Sequence, residues 1–550
     1  MASADPLSSF SERYLADYLE AHPTRAAGLG FHQYDGRVPD LSRPAIAARI
    51  DALRAAQVEI ESIDPSGLAG VDWLDYRLLD DAIRLELFDL TEWRRWERDP
   101  LTYLGLMEVD QYIKRNYAPL AERVRGLVLH LRAVPQVVAT AKANLSEVSA
   151  PVLETAVDVL GGGLSFLAED LPPAVDGLGE EEPALHAEFA AAQALALEAG
   201  RDLLDHLSGM LATQPSASFA VGRDAFGKML RYGEAVDLPL ERLLEIGEDD
   251  LAKNKRAFVE TAARLDPDGT PAAAMARISQ EHPTSATLVA ETRAMLEELR
   301  QFVIDHELVD LPYDERCTVE ETPKFMRTAF AMMDTPGPFE PVAREAFYYV
   351  TPPEADWPPE RREEWLTAFD YHTLRCTSIH EAWPGHFLHD LHFRDAPSQV
   401  AKVFDAYSFW EAWAHYCEEM MLVQGYRAGD QKLRLAQLAG ALTRNVRYVC
   451  AIGMHTGDMS VEEATARFMR DAFMEETPAR AEAVRGTFDP GYLNYTLGKL
   501  MLLKLRDDYR AERGEAFDLK RFHDAFLSWG APPVPYVRRL LLDRDDGQIL

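Results

Sequence analysis

Apolar residues recur along most of this chain at the three- and four-residue spacing of amphipathic helices. Leu288, Met295, Leu296, Leu299, Phe302 and Val303 form one stripe with charges between them. Comparable stripes run through 8–21, 73–90, 119–147, 184–212 and 238–264. Breaks are expected at Gly161-Gly162-Gly163, in the proline- and acid-rich 171–183, at 213–222, and at Asp266-Pro267-Asp268-Gly269. Pro358-Pro359 predicts a helix start, with one helix continuing over 360–383. Strand signals are scarce, and the credible extended segments lie at 318–322 and 346–350. The pattern predicts a mainly α fold with a small β-sheet.

With 550 residues, 47% of them hydrophobic, the chain can bury a large core. Nine of the 15 histidines and all four cysteines follow residue 300. The expected organisation is therefore a helical scaffold over 1–300 and a catalytic region over 301–550, together forming one cleft-containing unit. The balance of 91 acidic and 57 basic residues gives a net charge of −34, which argues against nucleic-acid binding and attraction to anionic membranes. The amino terminus has neither a basic start nor an apolar core, and no run is expected to approach the roughly 20 apolar residues of a membrane span. Cys317, Cys376, Cys417 and Cys450 show no Cys-x-x-Cys spacing. Reduced thiols and a cytoplasmic location are the expectation.

The chemistry centres on Ile379-His380-Glu381-Ala382-Trp383-Pro384-Gly385-His386, with Glu411 following 25 residues after His386. Two histidines and a carboxylate can hold zinc, and a glutamate beside the first histidine can activate water. His-Glu-x-x-His places its histidines at i and i+4 on one helical face. Here the second histidine stands at i+6, about 120° away around a straight helix. Pro384 cannot donate to the carbonyl of His380, and Gly385 admits unusual backbone. The helix is therefore expected to kink or widen at 381–385 and swing His386 back towards His380. Glu411 lies in an aromatic-rich segment where an unpaired carboxylate is costly to bury. Glu418, at i+7 on the same helical face, is placed to orient a ligand, whereas His389, His392 and His415 read as helix-surface, core or supporting residues. The His306-Glu307 pair lacks a following histidine. No histidine has a glutamate three positions before it, against a di-iron bundle. There is neither a Gly-x-Ser-x-Gly elbow nor a phosphate-binding Gly-x-x-x-x-Gly-Lys-Ser/Thr loop.

The ordered motifs Tyr348-Tyr349, His380-Glu381-x-x-Pro384-Gly385-His386, Glu411-x-Trp413-Ala414-x-Tyr416-x-Glu418, Arg444-x-x-Arg447, Gly453-x-His455 and Pro490-Gly491-x-x-x-Tyr495-x-x-Gly498 resemble the family known as domain of unknown function 885. That family is in turn similar to helical zinc peptidases of the thimet-oligopeptidase and Taq-carboxypeptidase types. The resemblance implies a large helical metallopeptidase-like fold with its small sheet beside the active-site cleft. It implies one zinc ion per chain held by His380, His386 and Glu411, with another divalent transition metal as the alternative and Glu381 as general base. Tyr495, Tyr492 or His455 would then face the developing oxyanion. Arg444, Arg447 and Lys499 would hold a substrate carboxylate or else serve as structural salt-bridge partners, with Tyr349 also on the substrate side, in a strand that either pairs with an extended peptide or is purely structural. The chain departs from the family at Phe387, Ala412 and His415, where a second histidine, a glycine and a leucine are usual. The function implied is zinc-dependent hydrolysis of a peptide or small amide. The alternative is a degenerate peptidase-like protein that only binds such a ligand.

Overall fold

The molecule, a computed structural model, is described over residues 5–323, 327 and 330–550. Among the described residues it is mainly α-helical with one three-stranded sheet. The chain forms two units: Met1–Val221 with Pro336–Arg344, and Gly222–Thr335 with Glu345–Leu550. The division thus falls near 221 rather than 300. The reason is local packing: the Leu240–Leu265 helix runs along Gln431–His455, where Gly247 leaves no room for a Cβ against Tyr448. Asn254 and Asp250 meet Asn445 across the same contact at 2.8 Å each.

In the first unit, Leu120–Asn144 and Ala150–Ser165 both pack on Pro183–Ala212. The three glycines at 161–163 do not break their helix. It runs on to Ser165, then through a wide turn at Phe166–Asp170 to Leu171–Val175. Val152, Leu153, Ala156, Leu160, Leu167 and Leu171 supply one continuous buried stripe, and that burial outweighs the weak helix propensity of glycine. By length and composition this 150–175 stretch could cross a membrane, which corrects the expectation that no run comes near. The late segment Pro336–Arg344 joins this unit through the Phe339 N–H to Leu29 carbonyl bond, 3.0 Å, and a His32–Glu340 pair at 2.7 Å.

The second unit holds the sheet: β1 (Thr318–Glu321), β2 (Ala331–Asp334) and β3 (Phe347–Val350). The order is β1-β3-β2, with β3 parallel to β1 and antiparallel to β2. Both edges of β3 are therefore taken, so of the two readings of the 346–350 strand it is the structural one that holds; the edge towards the site belongs to β2. The single helix expected over 360–383 is two, Pro359–Thr367 and Tyr371–Glu381. Asp370 separates them, its carboxylate accepting from the His372 and Thr373 N–H groups at 2.9 and 3.0 Å as an N-cap.

Candidate metal centre

The Tyr371–Glu381 helix stops at the site rather than kinking. Its last turn widens as it ends: Ala382 N–H reaches the Ser378 carbonyl four residues back at 3.0 Å, Trp383 N–H the same carbonyl five back at 3.2 Å, and Gly385 N–H the Ile379 carbonyl six back at 3.0 Å. A Cβ on Gly385 would stand 1.7 Å from the His380 carbonyl oxygen, so only glycine fits. The Trp383-Pro384 peptide bond is cis, and a new helix, His386–Phe393, begins at once. The Tyr407–Val423 helix grips this turn, its Trp413 Nε1–H donating to the Pro384 carbonyl at 2.7 Å. A kink or a widening was expected here; the turn widens, and the helix then stops and restarts. The His380 and His386 rings meet with centroids 4.8 Å apart and planes at 89°.

Glu411 completes the cluster from the Tyr407–Val423 helix. Its Oε2 lies 3.3 Å from His380 Nε2 and 3.7 Å from His386 Nε2. One ligand atom from each of the three residues falls within 4.8 Å of the others. Donors around a tetrahedral zinc ion stand about 3.3 Å apart. Glu411 Oε2 is buried and makes no hydrogen bond of acceptable geometry, an expensive state for a carboxylate oxygen unless a cation sits before it. The donor set of two imidazoles and one carboxylate suits zinc, so the residues fit the ion. Without metal, the electrostatics are those of an ion pair. Burial opposes a charge on His380, but Glu411 and Glu418 outweigh it and hold the imidazole up at about 9. Burial pushes Glu411 upward too, yet His380, His386 and Arg444 bring it to about 2. A metal would take the proton's place.

The supporting layer is well defined. Glu418 Oε1 lies 2.8 Å from His380 Nδ1, which fixes Nδ1–H as the donor and turns Nε2 towards Glu411. Arg444 pairs with Glu418 Oε1 at 2.9 Å. His415 stands 3.5 Å from Glu418 Oε2 and is kept neutral by burial and Lys499, at about 3. Of the remaining sequence candidates, His389 is not on the surface. It is fully buried against Trp410, with Nε2 donating to the Gly530 carbonyl at 3.1 Å. His392 donates to the Asp310 carbonyl at 2.9 Å. The thiols of Cys376 and Cys417 point at the Leu433 and Pro384 carbonyls and are pushed well above their ordinary range by burial, so neither is a ligand.

Glu381 lies beside the cluster and accepts the Met333 N–H of edge strand β2 at 3.1 Å. Tyr495 is also at the site, its ring stacked at 6.4 Å from His380 and 19° from parallel. Tyr492 and His455 are not. Both pack around Gly486, where His455 Nε2 donates to the Gly486 carbonyl at 2.6 Å and the Tyr492 hydroxyl points at Met454 sulfur. Sequence order alone could not tell which face of the chain they occupied. The basic residues are committed elsewhere: Arg447 is bidentate to Glu482 at 2.7 Å in both contacts, and buried Lys499 pairs with Glu419 at 2.8 Å. Arg444 serves Glu418, as above. Arg444 and Arg447 nevertheless lie over the Tyr495 ring, 5.5 and 5.2 Å from its centroid, with Arg485 at 6.0 Å. Tyr349 is buried in the sheet, stacked on Phe347 at 5.5 Å. Sequence reasoning missed β2 and Arg485. Arg485 carried a faint signal, standing four residues before Asp489, its ion-pair partner at 2.9 Å.

Two solved structures share this arrangement of the chain. One, described as a candidate lipoprotein of unknown function from Shewanella oneidensis, has 26% identity and a TM-score of 0.83, covering 98% of this chain and 100% of its own. The other, described as a candidate lipoprotein from Colwellia psychrerythraea, has 18% identity and a TM-score of 0.82, with 98% and 99% covered, and speaks for the fold alone. No protein of curated function matches the chain. Residues 23–541 match the model of one family, and the chain belongs to it: bacterial protein of unknown function, DUF885.

Proposed function

We propose that this chain is a zinc-dependent hydrolase of peptide bonds, holding the ion with His380, His386 and Glu411. The observation that carries this reading is the buried, unbonded Glu411 Oε2 placed between two imidazole Nε2 atoms. When bound, zinc would supply a Lewis acid that makes water a usable nucleophile near neutral pH. Glu381 would accept the proton of the attacking water and pass it to the leaving amine. Its bond to Met333 N–H supports a substrate backbone lying along β2, because it ties the base to that edge. Tyr495, whose ring stacks on His380, would supply the phenol that faces the developing oxyanion. Arg485, only partly buried, is the arginine on the Tyr495 side that a short peptide's carboxylate would meet, in competition with Asp489.

The test pairs metal analysis with a peptide-mixture assay on protein purified without chelator or histidine tag. About one zinc per chain and cleavage that vanishes in Glu381→Gln, with zinc retained, is the expected result. A wild-type chain that cuts nothing and binds peptide equally well as Glu381→Gln would instead make it a binding protein. We also propose a cytoplasmic location, supported by four separated, buried, free cysteines. The naming of the two structural neighbours favours the cell envelope, and recovery of the protein in the membrane fraction of its host would overturn the cytoplasmic reading.

A further inference from the structure

The two helices that carry Glu411 and Tyr495 touch backbone to backbone. A Cβ on Gly498 would stand 2.3 Å from the Ser408 carbonyl oxygen and 2.8 Å from Ala412 Cβ. Such a contact sets how closely the helices approach, but a bare glycine face leaves them free to slide along or rotate about each other. A third element limits both movements. The helix Arg223–Glu234 ends at Glu234, with Ala235 in the left-handed region at φ 55°. The Glu234 carboxylate is buried, and its two oxygens are used on different helices. Oε2 accepts the Ser408 N–H at 3.2 Å, in the first turn of the Glu411 helix. Oε1 accepts the Asn494 side-chain amide at 2.8 Å, at the first residue of the Tyr495 helix. Ser408 is three residues before Glu411, under one helical turn, and Asn494 immediately precedes Tyr495.

We infer that Glu234 is the positioning residue of the centre, a buried clip that fixes the third metal ligand and the oxyanion-side phenol relative to each other. This rests on the zinc reading above. Glu234 touches neither ligand nor substrate; it acts through the helix starts. A carboxylate is suited to the task because both oxygens accept, and a donor from each helix meets it. Its amide analogue can do the same: Asn494 Oδ1 is buried without a partner, so a flipped Asn494 amide would accept from a glutamine while Ser408 N–H still donates. The hydrogen bonds, not the charge, are what the clip supplies.

The experiment measures zinc affinity by chelator competition and the visible spectrum of the cobalt-substituted full chain. It compares wild type, Glu234→Ala, Glu234→Gln and a destabilising control, Phe468→Leu, in the buried face of the Val461–Asp471 helix. Glu234→Ala is expected to weaken zinc about tenfold and broaden the cobalt bands, the lower end of what outer partners of a metal ligand contribute. Glu234→Gln is expected to restore both, and Phe468→Leu to lower Tm with neither changed. Wild-type affinity and spectrum in Glu234→Ala, or a glutamine variant as poor as alanine, overturns the inference while leaving the zinc reading intact. A wild type that takes up no zinc overturns the zinc reading and this one with it. Should Glu234→Ala not fold, Asn494→Ala decides: it removes only the tyrosine-side arm, so kcat should fall about tenfold at unchanged KM and unchanged zinc affinity, and an unchanged kcat overturns the clip.

Discussion

Glu411 and Glu234 are both buried carboxylates in one unit, attached to the same helix start, and they differ in charge preference. Burial is the largest influence on each and pushes each upward. At Glu411 it is overcome by His380, His386 and Arg444, and the group settles at about 2. At Glu234 only neutral donors answer it, with Asp405 adding a like charge, and the group rises to about 7. Neighbours decide the outcome, not depth. A carboxylate among cations is kept ionised, ready for a metal. One among amides is kept near neutrality and suits a structural hold.

The strongest way to break this contrast is Glu411→Gln. It removes the charge the cations were arranged around, so zinc affinity should fall by at least about a hundredfold in chelator competition. Retained affinity would make Glu411 an ordinary ion-pair partner. Glu381→Gln should lower peptide turnover by about a hundredfold or more at unchanged zinc content. Glu418→Gln tests the layer behind the ligands. It leaves His380 with a poorer acceptor for its Nδ1–H, and zinc affinity should drop by about ten- to a hundredfold. Glu234→Gln is expected to leave zinc affinity unchanged, and is read instead as stability against pH. A carboxylate raised from 4.5 to about 7 on folding contributes stability in full below 4.5 and loses it as pH rises through 7. Wild type should therefore lose about 2.5 kcal/mol between pH 5 and 8 from this group. Urea midpoints at the two pH values should converge in the variant. An unchanged pH slope would show that Glu234 is charged at all working pH values.

What could be read beforehand follows from which signals are local. The long helices were legible because a stripe at 3.6-residue spacing needs no partner to be recognised: 240–265 and 288–305 match their patterns to within a few residues. The metal cluster was legible because its chemistry is written in residue types and order, and Glu418 because i+7 returns to the same face. The failures are matters of partnership. Ala331-Met332-Met333-Asp334 has no β-branched residue, and becomes a strand only because β3 presents an edge to it. Tyr492 and Tyr495 stand three residues apart, yet one enters the core at Gly486 and the other faces His380. Arg447 and Lys499 read either as carboxylate holders or as structural salt-bridge partners, and the choice falls to the second only once Glu482 and Glu419 are seen beside them. Glu234 gave no signal at all, since its meaning lies in two helix starts 174 and 260 residues away.

The interrupted helix at 381–386 carries a lesson about how such centres are counted. Excising Pro384 and Gly385 would leave His-Glu-Ala-Trp-His, the spacing in which an unbroken helix sets two imidazoles on one face. The pair is thus a two-residue insertion, and the folded-back turn cancels it. By splitting one helix into two, it lets the second leave in its own direction, where His389 and Phe393 pack on Trp410. Spacing along a chain is a proxy for distance only while the secondary structure is continuous. Searches keyed to fixed intervals will pass over sites assembled, like this one, from two pieces.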